Sequence, residues 1–340
     1  MNPVPSKRPT FIIALLIAAL VLSMAITYAQ VNYLGVHFLR VQQEKVHLQM
    51  LQGEAGNPWQ YRILADVLVD PLIRLSKNLG IPQPESFSFI AFRFGQCLLI
   101  LLAAGFYYRK LGLTVYENLI GLSILSWSLS YSLYNSDLSL NVFFDVAFYL
   151  LAALFILDKR FVGLALLMIP AALNRETSVL IPFMLYLTIR REPAEKNNSR
   201  SAMVAAIAGL AIYLAIFTGL RLYYGNQHFL TADGYYPGLG LLFLNLQRPE
   251  TWEQLAITLG IIPLLALFAL RAWPRSLRSF YWAIVPIWFA VHLVSALVAE
   301  TRLLLVPQAL IFIPGALFGL SVTRAERAEA GRDHPAEIRS

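Results

Sequence analysis

The chain is poor in cysteine, in charge and in recognisable catalytic motifs. Only one of its 340 residues is a cysteine, Cys97, so a disulfide framework within the chain is excluded. Charged residues make up 14%, whereas an average soluble domain carries about 25%. No P-loop, GxSxG, CxxC or HExxH pattern occurs. ATP-driven, redox and metal-hydrolase chemistry therefore has no motif in this sequence.

Long apolar runs dominate the sequence instead. Hydrophobic residues account for 58% of the chain. Five runs are long enough, or nearly so, to cross a hydrocarbon core of roughly 30 Å as a helix. Backbone polar groups in lipid must be satisfied within the segment, which favours helices. We therefore predict an all-α fold, a polytopic transmembrane helix bundle, with apolar runs at 11–29, 87–108, 203–220, 255–270 and 283–299.

The basic residues predict how the bundle lies in the membrane. Most of the 27 lysines and arginines fall in clusters at the ends of apolar runs, which is typical of cytoplasmic segments and argues against nucleic acid as a partner. We expect a multi-pass protein of the cytoplasmic (inner) membrane with both termini cytoplasmic. The first apolar run fits a cleaved signal peptide or a retained span, and its length favours retention. The predicted parts are a cytoplasmic N-terminus at 1–10, one transmembrane domain at 11–321 and a charged, disordered tail at 322–340.

Residues 161–190 decide the number of spans. One helix of this length would measure about 45 Å, yet basic clusters flank both ends and both should be cytoplasmic. We therefore predict two short helices that turn at 174–177, with Pro170 and Pro182 easing the bends. Residues 251–270 are predicted to form one span. The total is then about ten spans.

This topology creates two long outer loops, at about 30–86 and 224–251. Residues 31–52 predict an amphipathic helix along the membrane surface. Further on, charged residues recur every four positions, which predicts the helical ion pairs Arg62–Asp66 and Asp70–Arg74.

Two aspartates stand at the start of the predicted fourth span. A carboxylate at membrane depth is costly and marks a candidate functional site. Asp137 is expected at the outer mouth of the bundle, and Asp145 about 12 Å deeper, so the two cannot form a close pair. A buried unpaired charge costs several kcal/mol. We therefore expect a partner from another span and favour Asp137 with Arg175.

Four short motifs occur in order along the chain: QYRIL, YNSD, LNRETSVLIP and AETRLLLVP. Together they resemble the GT-C superfamily of polytopic membrane glycosyltransferases, which use polyprenyl-phosphate sugars as donors. The resemblance extends from about residue 10 to residue 320. It implies a lipid-linked sugar donor, a glycan or lipid acceptor in the cell envelope, contact with membrane lipids, and sugar transfer on the outer face of the membrane.

The resemblance also implies roles for individual residues. In such enzymes a carboxylate acts as general base or orients the acceptor hydroxyl, and arginines neutralise the leaving phosphate. No cofactor is expected, and a divalent metal is left open. The catalytic candidates are Asp137, Glu176 and Glu44; the substrate-binding candidates are Arg62, Arg175, Arg302, Glu300, Tyr61 and Asn174.

One departure from the family pattern keeps two alternatives open. Many such enzymes carry an Asp early in the first outer loop, but here FLRVQQEKVHLQMLQGE contains only Glu44 and Glu54. Either Glu44 substitutes, or the chain is a non-catalytic membrane subunit of the same fold. A transporter or flippase for a lipid-linked anion is the other alternative. Transporters usually contain matched broken helices, and the sequence predicts only one broken segment, 161–190, which favours the enzyme.

Overall fold

Helices form nearly all the regular structure of this protein. The computed structural model describes residues 8–133, 140–191, 196–229 and 234–320. Within these ranges there is no β-strand and the β-structure is limited to isolated bridges, such as that between Asn57 and Phe229, which confirms the all-α prediction. The α-helices in chain order are α1 Arg8–Leu34, α2 Val36–Phe38, α3 Glu44–Gln52, α4 Leu64–Asn78, α5 Pro84–Leu111, α6 Val115–Tyr131, α7 Leu140–Leu157, α8 Phe161–Asn174, α9 Leu180–Arg191, α10 Lys196–Tyr224, α11 Leu239–Gln247, α12 Pro249–Leu259, α13 Ile262–Phe268, α14 Arg275–Ser295 and α15 Leu305–Pro307.

Several helices are long and apolar enough to cross a membrane. Six segments of the described chain meet this condition: most of α1, α5, α7, most of α10, α14 and the last helical segment, Thr301–Leu320. Helices α12 and α13 together would make a seventh, but they are bent by 70°. The chain is thus a multi-pass helical membrane protein. The predicted tail at 322–340 and residues 1–7 lie outside the described residues.

The predicted span at 251–270 is not one continuous helix, because α12 and α13 are bent by 70° where they meet. Helix α12 ends before Gly260, which adopts a left-handed φ of 58° that glycine tolerates and other residues resist. Helix α13 then begins with a proline in its first turn. The described chain therefore contains a second broken segment in its C-terminal half.

The segment 161–190 breaks where the sequence predicts. Helix α8 ends at Asn174, Arg175 is extended, and a 3₁₀ turn at Glu176–Val179 leads into α9. Both short helices pack against α10. The break brings the polar sequence NRET to one end of an otherwise apolar bundle.

Basic side chains gather at the other end, which we call the basic end. Lys110 at the end of α5 forms an ion pair with Asp158, just after α7. Arg160 lines the same shallow pocket. Arg191 closes α9 and lies 6.0 Å from the ring of Trp282.

The last helical segment is the most enclosed of the six candidate spans. Side chains of neighbouring helices form hydrogen bonds with its backbone carbonyl groups. A π-helical turn at Gln308–Phe312 leaves carbonyl groups that two buried tyrosines reach. Tyr107 donates to the Leu310 carbonyl at 2.9 Å, and Tyr108 donates to the Ala309 carbonyl at 2.8 Å. In lipid such internal satisfaction is required.

Two expectations for the first outer loop are wrong. Residues 31–52 do not form one helix, because α1 continues to Leu34 and Gly35 then breaks it with a φ of 80°. Arg62 does not pair with Asp66, because Arg62 precedes the start of α4 at Leu64. Asp66 instead contacts His47 Nδ1 at 2.9 Å, which ties α3 to α4. The predicted Asp70–Arg74 pair is present at 2.7 Å.

Candidate functional site

A cavity of about 350 Å³ opens at the end of the bundle opposite the basic end. We call this the cavity end. Its walls come from the 3₁₀ turn Trp59–Tyr61, the α8–α9 break, the loop before α11, the end of α14 and the start of the last segment. Five of the residues singled out from the sequence line it: Arg62, Arg175, Glu176, Glu300 and Arg302.

Arg62 and Glu176 form an ion pair that joins distant parts of the chain. The guanidinium Nε donates to Glu176 Oε2 at 3.0 Å, across 114 residues of sequence. The Glu176 carboxylate is 26% exposed. Burial raises its pKa, but the charges of Arg62 and Arg175 and hydrogen bonds outweigh that effect, so the pKa lies below its ordinary value. Glu176 is therefore an anion that holds Arg62 in place.

Arg175 meets Asp145 deep in the wall of the cavity. Its Nη1 lies 3.2 Å from Asp145 Oδ2, and the two side chains are 4% and 1% exposed. Asn174 Nδ2 donates to Oδ1 at 3.0 Å and Thr177 Oγ1 donates to Oδ2 at 3.0 Å. The carboxylate is thus held on both oxygens, and the sequence NRET supplies three of its partners.

This pairing differs from the one expected. Asp137, the favoured partner of Arg175, lies outside the described residues. Within the described residues Asp145 meets the Arg175 charge, and the Asp137–Arg175 pairing stays a prediction. The sequence marked Asp145 as a candidate because a carboxylate at membrane depth is costly. Only the fold shows that its partner, Arg175, comes from the break between α8 and α9.

Trp59 lies between two of the cavity arginines. The Arg62 and Arg302 guanidinium carbons are 5.5 Å and 5.8 Å from its ring centroid, within range of a cation–π interaction. Arg302 Nη2 also donates to Glu300 Oε2 at 2.7 Å. The indole therefore forms an apolar wall between two positive groups.

Arg221 is a further cation that the sequence analysis did not select. Its Nη2 lies 4.0 Å from Glu176 Oε1, and its guanidinium carbon is 4.4 Å from the Tyr61 ring centroid. Tyr61 is buried and donates to the Gly225 carbonyl at 2.8 Å. Tyr61 and Asn174 therefore support the cavity wall without lining the cavity.

Glu44 is not brought to this cavity. It lies in the first turn of α3, and the cavity lining does not include it. Helix α3 is tied to α4 through His47 and Asp66. Its proposed substitution for the missing Asp of the first outer loop gains no support from this position.

His292 lines the cavity as well. It is a single histidine in an apolar helix, and no spacing in the sequence marks it. The described part of the chain has no group of three or more His, Cys, Asp or Glu residues that could hold a metal ion. The polar chemistry of this cavity therefore comes from arginine, carboxylate and imidazole groups.

Taken together, fold and cavity define a class: a multi-pass helical membrane protein with an arginine-lined polar cavity at one end of its bundle. No family model, curated protein or solved structure matches the chain.

Proposed function

We propose that the protein is a GT-C-like glycosyltransferase that moves a sugar from a polyprenyl-phosphate donor to a glycan or lipid acceptor of the cell envelope. One observation carries the proposal: Arg62, Arg175 and Arg302 converge on one cavity at the end of an apolar bundle. A lipid-linked phosphate needs an apolar path for its chain and fixed positive charge for its headgroup. A planar guanidinium matches phosphate oxygens in pairs.

Arg62 retains donors for such a headgroup. A guanidinium carries five N–H donors, and the bonds of Arg62 to Glu176 use only one edge of it. Arg175 Nε and Nη1 are enclosed by protein and make no hydrogen bond within the described residues, so Arg175 contributes its positive charge to the cavity wall. Glu176 therefore orients the Arg62 guanidinium without using all of its donors.

In the proposed reaction the acceptor oxygen forms a bond to the anomeric carbon of the sugar. The bond from that carbon to the phosphate oxygen breaks, and the phosphate keeps the electron pair. The acceptor hydroxyl loses its proton to a base in the cavity. The arginines stabilise the charge that develops on the phosphate.

For topology we propose ten spans, with the cavity on the outer face of the cytoplasmic membrane and both termini cytoplasmic. Helices α6, α8 and α9 are then short spans beside the longer ones. The separation of Lys110, Arg160 and Arg191 from the cavity supports this orientation through the positive-inside rule.

Cysteine labelling tests this topology. In a Cys97→Ser background, Thr177→Cys lies on the cavity wall and should react with an impermeant thiol reagent in intact cells. Arg160→Cys at the basic end should react only after the membrane is broken. The reverse pattern would overturn the orientation.

The activity is tested by purified protein and a panel of polyprenyl-phosphate sugars. Donor consumption with release of polyprenyl phosphate is expected from the wild type and should fall in Arg62→Lys. Arg191→Lys is the matched control, because Arg191 belongs to the basic end. A wild type that consumes no donor, with any acceptor fraction supplied, would contradict the proposal.

A non-catalytic subunit is the second candidate, and one observation favours it. Each cavity arginine already has a carboxylate partner: Glu176, Asp145 or Glu300. Such pairs also occur as purely structural ties. If polyprenyl phosphate does not bind, and Glu176→Gln affects only stability, this candidate replaces the enzyme.

A transporter remains a third candidate. The bend between α12 and α13 is a second broken segment beside the one at 174–177, and paired broken helices are typical of transporters. Transport moves the lipid-linked anion without breaking the sugar–phosphate bond. Intact donor recovered on the opposite side of a reconstituted vesicle would therefore identify it.

A further inference from the structure

The basic end contains a groove between α5 and α7 that has no part in the proposed reaction. The groove has a volume of about 390 Å³, and we call it the basic groove. It has an apolar floor and a charged mouth, which are formed by Phe106, Leu151, Leu154 and Phe155, and by Arg109, Lys110, Asp158 and Arg160, respectively. Three cations therefore share the mouth with one carboxylate.

The floor of the basic groove extends into the membrane-spanning part of the bundle. Helix α7 is a candidate span that ends at Leu157. Leu151 lies seven residues before Asp158, a separation of about 10 Å along a helix. On the facing helix, Phe106 is 44% exposed and packs edge-on against Phe11 of α1 at 6.4 Å. An apolar surface at this depth favours contact with a hydrocarbon chain.

The cations at the mouth are placed to meet a charged headgroup. Lys110 forms an ion pair with Asp158, and that carboxylate offsets one of the three positive charges. Arg109 Nη1 donates to the Leu113 carbonyl, a neutral partner, at 3.1 Å. Arg160 is exposed, and its side chain makes no hydrogen bond or ion pair within the described part of the chain. The residues that line the mouth therefore carry more positive than negative charge.

A second groove at the same end differs from the basic groove in its charge. It has a volume of about 600 Å³ and lies between α13 and the end of the last helical segment, and Arg271 is the one charged residue among those described as lining it. Arg271 precedes α14, whose other end lines the cavity, so this groove also belongs to the basic end. Membrane orientation accounts for basic residues at this end, but it does not require three of them around one apolar groove.

We propose that the basic groove binds an anionic phospholipid from the leaflet at the basic end. The phosphate of this lipid lies between Arg109, Lys110 and Arg160, and an acyl chain lies along Phe106 and Leu151. Charged donors form the stronger hydrogen bonds to phosphate oxygens, and basic pockets between membrane helices suit anionic headgroups. This site does not depend on the proposed glycosyltransferase activity.

The first test compares two lipids that differ only in headgroup charge. Purified wild type in detergent is titrated with phosphatidylglycerol or with phosphatidylcholine of the same acyl chains, and native mass spectrometry measures the bound lipid. A basic residue near a membrane surface strengthens the binding of anionic lipid about fivefold. With two positive charges in excess at the mouth, phosphatidylglycerol should bind about 25-fold more tightly. Equal binding of the two lipids would overturn the inference.

The second test locates the site with a matched pair of variants. Arg160→Gln should weaken phosphatidylglycerol binding about fivefold and leave phosphatidylcholine binding unchanged. Lys159→Gln is the control, because Lys159 is exposed in the same turn but does not line the groove. Arg271→Gln removes the cation of the second groove, and both of these variants should bind like the wild type. An equal loss in Lys159→Gln or Arg271→Gln would mean that the lipid responds to the total charge of this end, and would contradict a site at the basic groove.

The third test separates a lipid from a free phosphate ion. Leu151→Trp fills the apolar floor and leaves every charge in place, so it should abolish the preferential binding of phosphatidylglycerol. A folded Leu151→Trp protein that binds this lipid like the wild type would rule out the acyl-chain contact. Competition on the wild type needs no variant: inorganic phosphate at the concentration of the lipid should displace none of it. Displacement by inorganic phosphate would show that the mouth binds phosphate without a chain, and the lipid assignment would be wrong.

Discussion

Charged residues at the two ends of the bundle obey different physical rules. At the basic end Lys110 and Asp158 are 47% and 30% exposed, and they join the ends of two neighbouring helices. At the cavity end Arg175 and Asp145 are 4% and 1% exposed. The residue types are similar, but water solvates the first pair and protein atoms surround the second.

The buried charges at the cavity end need a functional or structural explanation that the exposed charges at the basic end do not need. Exposed basic residues at helix ends follow from membrane orientation and require no partner. Buried ion pairs, in contrast, are often replaceable by apolar residues with no loss of stability. A bundle that keeps several buried arginines around one cavity therefore points to a ligand that uses them.

The largest expected effect comes from breaking the Arg175–Asp145 pair. Asp145→Asn leaves a buried guanidinium without its charge partner and should lower the free energy of unfolding by about 3–5 kcal/mol. Arg175→Gln should do the same from the other side. The double variant should lose less than the sum, because neither charge then remains buried alone. Reversible unfolding of purified protein in mixed micelles measures all three.

A strictly additive double variant would contradict this account. It would mean that the two side chains do not stabilise each other, and that Asn174 and Thr177 alone satisfy Asp145. The Arg175–Asp145 pair would then differ from the Lys110–Asp158 pair only in its solvent exposure, and not in how strongly its two charges stabilise each other.

Arg62→Lys should have the next largest effect, on binding more than on folding. Lysine keeps the charge but loses the planar fork that meets Glu176 and a phosphate together. We expect about a tenfold weaker affinity for farnesyl phosphate, equivalent to about 1.4 kcal/mol. Arg191→Lys at the basic end should leave the affinity unchanged. Equal losses in the two variants would mean that the ligand responds to overall charge and not to the cavity.

The sequence predicts this fold from its apolar runs and its breaks. Long apolar runs specify helices in lipid because a helix satisfies its backbone hydrogen bonds within the segment, and the NRET break at 174–177 followed from basic clusters on both sides. The bend at Gly260 was missed because the surrounding residues stay apolar through it. Only the backbone conformation reveals that the helix stops.

The arginines of the candidate site were predictable from the topology, but their partners were not. A topology that assigns turns to one membrane face also brings Arg62, Arg175 and Arg302 to that face. The partners depend on helix rotation and packing, which no local pattern specifies. Asp145 and Arg175 are 30 positions apart in the chain, and His292 enters from α14 with no motif around it.

The contribution of Glu176 to the stability of the cavity end depends on pH. Its pKa in the folded protein lies below the ordinary value of 4.5, so it contributes stability above the unfolded pKa. That contribution is lost as pH falls through the lower folded value. Its partial exposure makes the effect smaller than that of the Arg175–Asp145 pair.

Unfolding of wild type and Glu176→Gln between pH 7 and pH 3 measures this contribution. The wild type should be the more stable at pH 7, and the two curves should converge at the acid end. A difference that stays constant with pH would show that Glu176 stabilises the fold through packing and not through its charge.

The smallest effect is expected at the basic end. Lys110→Gln removes one side of the Lys110–Asp158 pair, but Asp158 is partly exposed and water can solvate its charge. Exposed ion pairs contribute about 0–1 kcal/mol, and added salt should reduce even that. The variant should therefore unfold within about 1 kcal/mol of the wild type at low salt and coincide with it at 1 M salt. A loss as large as that of Asp145→Asn would mean that this pair is also buried in the native membrane. The contrast between solvated and enclosed charge would then no longer separate the two ends of the bundle.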